Sequence, residues 1–410
     1  MVGCTSPTET ESATGDIKVQ IPVRENDQPQ LKVVTLHQIE DLRRVLGGHA
    51  IFYYAPKIED SLVMGEVPHA RFTKMSGDVF VPANRQSAEM AAIYYHLQNL
   101  SAFDAVLGLA DLNVGPRKVA ISTRILKSNM LVRDNSFYDQ NSDAMIFVDF
   151  ESMGFPLTLN SGVIAHEHFH SIFSKLVILP LVKAGRLSES LKVSSHRTVS
   201  KISNSSATLE SEFTGLNEKE LKRNFQNFIL LKALNEGLAD YWGWHYSKNE
   251  KFVSISIPGE TGRSLEEPAY GFPSQKIRNE QIDSMFDLYL VAKDKDKDKD
   301  KEKALEEIQD WGGRYAYSLG NQYARFFRNL SKTIEGQDLD PASQNILPLR
   351  LIFMLNDLRE KLLNNQTQQM IQPENVIESF CTKNSDLFKK DCRLPENLLQ
   401  NNVTVLGEER

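Results

Sequence analysis

The apolar residues of this chain change their spacing along it, and the spacing predicts the elements. Lys18 to Val23 and Leu31 to Leu36 are short apolar-rich runs that predict strands, and His37 to Leu46 predicts a short helix ended by Gly47-Gly48. Ile51 to Tyr54 and Val79 to Val81 predict further strands, so residues 17–82 read as a small α/β or β-rich N-terminal region after a polar tether at 1–16. Met90, Ala91, Ile93, Tyr94, Leu97 and Leu100 then recur three and four apart, which predicts an amphipathic helix over Ser87 to Leu100. Lys118 to Ile125 and Ala144 to Phe150 predict strands. Asn160-Ser161 can cap a helix whose apolar face is Val163, Ile164, Phe169, Ile172, Phe173 and Leu176, and Pro180 ends or kinks it.

Beyond Gly185 the pattern lapses. Residues to about Leu216 are rich in Ser, Thr and Asn and predict an inserted loop closing an α/β subdomain over 83–215. Helical spacing resumes over Glu218 to Asn249, Gln322 to Leu330 and Leu347 to Leu363, which predicts a helical subdomain over 216–375 and a tail over 376–410. The alternating charges of Lys293 to Lys303 nearly cancel and predict a solvated loop or a helix extension.

Composition narrows the class. The chain has 410 residues, 41% hydrophobic and 25% charged, which is globular composition. Its formal net charge of −7 argues against a broad nucleic-acid surface. No apolar run is long enough to span a bilayer. Cys381 and Cys392 would close a small loop in an exported protein, worth roughly 2–3 kcal/mol, and would stay free thiols in a reducing compartment. Cys4 follows Val2-Gly3 and precedes a Ser/Thr/Pro tether. That run resembles the end of a bacterial lipoprotein signal, without its charged and apolar parts, and predicts export with membrane attachment through a lipidated Cys4.

The chemistry concentrates in His166-Glu167-His168-Phe169-His170. His166 and His170 are four residues apart, so a helix places both imidazoles on one face, one turn apart, where they can share a metal ion. Glu167, beside the first, can reach a water on that metal without coordinating it. Neutral imidazoles suit Zn2+, and zinc brings the pKa of bound water towards about 7. His168 points about 100–200° away and reads as a packing or hydrogen-bonding residue. A catalytic zinc needs a third protein ligand. Glu236 and Asp240, again four apart, supply it: Glu236 as the ligand, Asp240 as acceptor of a ligating histidine's second N–H.

HEHFH followed by NEGLAD resembles the gluzincin metallopeptidases, more narrowly their thermolysin-like and fungalysin-like branch. Ala91 to His96 is similar to that group's Tyr-rich helix, and Asn135 to Tyr138 with Met145 to Val148 to its peptide-binding edge strand. Tyr317 to Ala324 is similar to its late helix. The resemblance implies an α+β fold of two subdomains, one mixed and carrying the zinc helix, one mostly helical, with a cleft between them. It implies hydrolysis of peptide bonds with Glu167 as general base and zinc-bound water as nucleophile, and it places Asn135 and Ser136 against the substrate. The chain also departs from the pattern. Glu236 lies farther from the histidines than the third ligand does in thermolysin, the calcium loops are missing, and Ala316 stands where the family has a late catalytic His. Tyr315 and Tyr317 flank Ala316, and a neutral phenol there can donate to a developing oxyanion, Tyr317 in preference to Tyr315. A rival expectation is a lipid-anchored zinc-binding scaffold on a lapsed peptidase fold.

Overall fold

The structure, a computed structural model, describes residues 13–25, 28–54, 57–59, 62–75, 77–113, 115–127, 130–187, 218–267, 269, 275–293, 298–335, 345–364, 372–388 and 392. Cys4, most of the Ser-rich insertion and the end of the C-terminal tail lie outside these residues. The chain is a mixed α+β protein and divides into two compact units. Among the described residues, the first comprises those up to Ile172 together with Trp242 to Ser264, and the second those from Phe173 to Tyr241 and from Leu265 on.

The first unit holds the sheets. Strands β1 (Gly15–Glu25) and β2 (Gln28–Asp41) form a long antiparallel hairpin. With β3 (Leu46–Gly47), β7 (Phe72–Lys74) and β8 (Val79–Pro82) they make a five-stranded sheet in the order β3-β2-β1-β8-β7. Strands β4 (Ala50–Tyr54), β9 (Arg117–Thr123), β12 (Ser136–Asp139) and β13 (Ala144–Val148) make a second sheet in the order β12-β13-β9-β4. Two short ribbons, β5 (Lys57–Glu59) with β6 (Leu62–Met64) and β10 (Ile125–Lys127) with β11 (Met130–Val132), pair separately from both sheets. In the second sheet β4, β9 and β13 are parallel, and β12 is added antiparallel at the edge. Val119, Ala120 and Ile121 are all fully buried, as expected of a parallel strand covered on both faces.

Helix α1 (Arg85–Val106) begins at Asn84, whose side chain accepts from Ser87 N at 2.9 Å. It settles the conformation of the segment for which spacing predicts a helix. Residues 37–41 are the end of β2, and 42–45 are a turn. Gln98 of α1 accepts from His37 N at 2.9 Å and donates to Thr35 O at 2.8 Å, while Tyr94 donates to His37 O at 2.7 Å. With β1 pairing along the other side, these bonds satisfy the backbone in an extended form, and tertiary partners override a local helical pattern.

Helix α2 (Ser161–Phe173) is capped by Asn160, which accepts from Gly162 N at 3.1 Å and Val163 N at 3.3 Å. The same side chain donates to Phe252 O and Ser256 Oγ, at 2.6 and 2.8 Å, tying the start of α2 to α5 (Phe252–Ser256).

The second unit is helical in its described residues. It continues α2 through a π-helical turn (Ser174–Ile178) into α3 (Leu179–Lys183). Pro180 has no N–H to give Leu176 O four residues earlier, and Arg359 Nη1 donates to that carbonyl at 3.3 Å. Pro180 thus widens the helical run where the sequence foresees an end or a kink. Helix α4 (Glu218–Ser247) crosses from the second unit into the first at Tyr241/Trp242. Helices α6 (Gln275–Lys293), α7 (Asp298–Glu335), α8 (Ile346–Leu363), α9 (Pro373–Lys383) and α10 (Ser385–Phe388) complete the second unit. The charge-alternating run from Asp298 on is the start of α7, a helix extension. Arg278 of α6 is 1% exposed and holds Glu374 of α9 through two 2.6 Å bonds. Cys381 and Cys392 form a disulfide.

Candidate metal centre

Glycines bring the site's helices close. A Cβ on Gly243 of α4 would meet Gly162 O of α2 at 2.7 Å and the Phe252 ring at 2.7 Å, so only hydrogen fits at this crossing. Trp242 packs on Phe169 with ring centroids 4.9 Å apart. From Gly162, α2 runs eight residues to His170; back from Gly243, α4 runs seven to Glu236. At 1.5 Å per residue these are matched lengths of about 12 and about 10 Å. A second glycine contact serves Glu236 itself. A Cβ on Gly237 would lie 2.2 Å from Gly320 O of α7, and one on Gly320 would lie 3.3 Å from Glu236 Cβ.

Among the described residues, one group of ligating side chains converges tightly enough to hold a metal ion. Donor atoms of His166, His170 and Glu236 all lie within 4.8 Å of one another. The three side chains are 3%, 1% and 1% exposed. His166 Nε2 and His170 Nε2 are 3.0 Å apart with the rings edge to face. Two nitrogens at metal–ligand distances of 2.0–2.1 Å in a tetrahedral shell would be about 3.3 Å apart, so the donor set and its spacing fit a metal ion.

Glu167 is buried beside this group, and its Oε1 accepts from Ser136 Oγ of β12 at 2.9 Å. Asp240 lies one turn beyond Glu236, equally buried. His168 faces the other way, with Nε2 3.0 Å from Asp104 Oδ2 of α1; both are at most 2% exposed. Asp104 Oδ2 also accepts from Asn113 Nδ2 at 2.8 Å. This buried pair fixes the turn of α2 that carries the ligands from behind.

Asn135 precedes β12, and its carbonyl accepts from Val148 N at 2.9 Å. Tyr317 is half-buried on α7, one turn before Gly320, and so shares the helix face that meets Glu236 Cβ. Tyr315 stands about 140° round the helix from Gly320, near the Arg278–Glu374 pair. Burial pushes its phenol above the ordinary value more than the Arg278 guanidinium pulls it down. Ala316 is fully buried.

Sequence reasoning missed Asp104, Gly162, Gly243, Gly237 and Gly320. The glycines do leave a signal. A glycine inside a helix costs roughly 1 kcal/mol, and Gly162 is one turn before His166 while Gly243 is two turns after Glu236. Asp104, on a separate helix, has no such marker. No protein-family model matches this chain, and no curated protein matches it.

Proposed function

We propose that the chain is a zinc-dependent peptidase of the gluzincin kind, with His166, His170 and Glu236 as ligands and Glu167 as general base. The observation that carries this reading is the convergence of two imidazoles and a carboxylate in a buried site, with a second carboxylate on the residue after the first imidazole. Two histidines and one glutamate are a donor set suited to zinc, and three protein ligands leave a fourth position open. Bound there, zinc would polarise a carbonyl and lower the pKa of a water.

The chain's own groups would do the rest. Glu167 takes a proton from the attacking water and returns it to the leaving amine nitrogen as the C–N bond breaks. Asp240 accepts the outer N–H of a ligand histidine and fixes its tautomer. Tyr317, on the α7 face that meets Glu236, donates its phenolic O–H to the oxyanion as negative charge builds there. The Cys381–Cys392 disulfide supports an exported protein, since such bonds persist in oxidising compartments. Ala316 is the observation that favours the rival reading, a metal-binding scaffold without turnover, because it removes a side-chain donor from that position.

Digestion of a peptide library separates the two. The peptidase reading predicts cleavage that a chelator abolishes and added zinc restores, and a Glu167→Gln variant slower by about 10²-fold or more with its metal content intact. Cleavage at the parental rate in Glu167→Gln, or none in the metal-loaded parent, would overturn it.

A further inference from the structure

Ser136 is placed against the substrate by the edge-strand resemblance, but its side chain is 5% exposed and spends its hydroxyl inside the protein, on Glu167 Oε1 at 2.9 Å. The neighbouring contacts make this placement part of a register between β12 and α2. Side chains alternate along a strand, so Ser136 and Tyr138 share one face of β12. Glu167 and Ser171 share one face of α2, one turn apart. The rise of two strand residues, about 6.6 Å, closely matches the rise of four helical residues, about 6 Å. Ser136 meets Glu167 directly, and a second rung joins Tyr138 to Ser171 through a shared partner. That second rung is closed by Arg117 of β9. Its guanidinium donates to Ser171 Oγ and, at 2.9 Å, to Asp143 Oδ1, and sits 5.9 Å from the Tyr138 ring centroid; Tyr138 OH donates to the same Asp143 oxygen. The strand is in turn fixed on β13 by the pairs Ser136↔Phe147 and Tyr138↔Met145.

We infer that Ser136 is a positioning residue for Glu167: its hydroxyl holds the carboxylate in the orientation from which it exchanges protons, and β12 serves the reaction through this bond as well as through its edge. The inference rests on the peptidase reading for its catalytic consequence and on the geometry alone for the contact. A glutamate has three rotatable side-chain bonds, and a donor fixed to a sheet removes that freedom at no further ordering cost, because Ser136 is already ordered by the strand.

The test uses the metal-loaded full chain with Ser136→Ala, Ser136→Thr, Glu167→Ala and the Ser136→Ala/Glu167→Ala double variant. The inference predicts that Ser136→Ala lowers kcat on a peptide substrate about 10-fold or more, with KM within about 2-fold and metal content unchanged. Ser136→Thr, which keeps the hydroxyl, should recover most of the loss. A residue that binds substrate would raise KM instead, and that result overturns the inference. Thermal midpoints of the metal-free proteins test the contact independently of turnover: the two Ala changes should be non-additive. An additive cycle overturns the inference whatever the kinetics. A non-additive cycle in a protein that cleaves no peptide sustains the contact and overturns the peptidase reading.

Discussion

At the residue scale, the protein keeps several ionisable groups where water does not reach, and each needs a partner or must stay neutral. His168 has Asp104, and Arg278 has Glu374. His96 takes the other course. It lies inside α1 with Nδ1 3.0 Å from Tyr246 OH and the Tyr95 ring 5.3 Å away, and burial lowers its pKa from 6.5 to about 4. Between those values the unfolded chain binds a proton that the folded chain does not, so stability rises with pH across that window. The contribution is complete above about pH 6.5 and is lost as pH falls to about 4, a span worth about 3 kcal/mol. Replacing His96 by Gln should flatten the fall in Tm between pH 6.5 and 4.5. A variant with the parental slope would show that other groups carry it. Neither the burial of His96 nor its neutrality was legible in the sequence: it lies outside the predicted apolar face of the helix, and Tyr246 is 150 residues away.

At the element scale, the site is a product of two helices and the small residues that let them approach. The i, i+4 pairs on α2 and α4 were readable because helical geometry alone puts His166 with His170 and Glu236 with Asp240. What brings the pairs together was hidden in glycines that look like defects in an otherwise good helix. A Gly243→Ala change should drive a methyl into Gly162 O and the Phe252 ring, lowering stability by about 1–3 kcal/mol and weakening metal retention with it. Gly259→Ala is the control: nothing lies within 4 Å of a Cβ there, and its Tm should stay near the parental value. Equal midpoints for the two variants, measured by calorimetry, would mean that the crossing tolerates a wider spacing. The one element that spacing named wrongly, the helix over His37 to Leu46, failed for the converse reason. Its backbone is held by α1 residues about 60 positions away, and no local pattern announces such partners.

At the scale of the whole molecule, composition and period identified a mixed α+β globular chain, and no helix among the described residues is long and apolar enough to cross a membrane. The disulfide was legible as one of two outcomes, and the structure forms it. Strand order was not legible: β1 pairs with its sequence neighbour β2 but also with β8, some 60 residues on, and β9 lies between β4 and β13. Such crossovers depend on which faces need covering, a property of the assembled chain. The metal centre is likewise a property of the assembled chain, since its three candidate ligands come from α2 and α4. Elemental analysis of the purified full-length protein tests it most directly. The parent should hold about one zinc per chain, His170→Ala none, and Glu236→Ala much less, with far-UV circular dichroism unchanged. Full zinc occupancy in a folded Glu236→Ala variant, or a parent that retains no zinc, would contradict it.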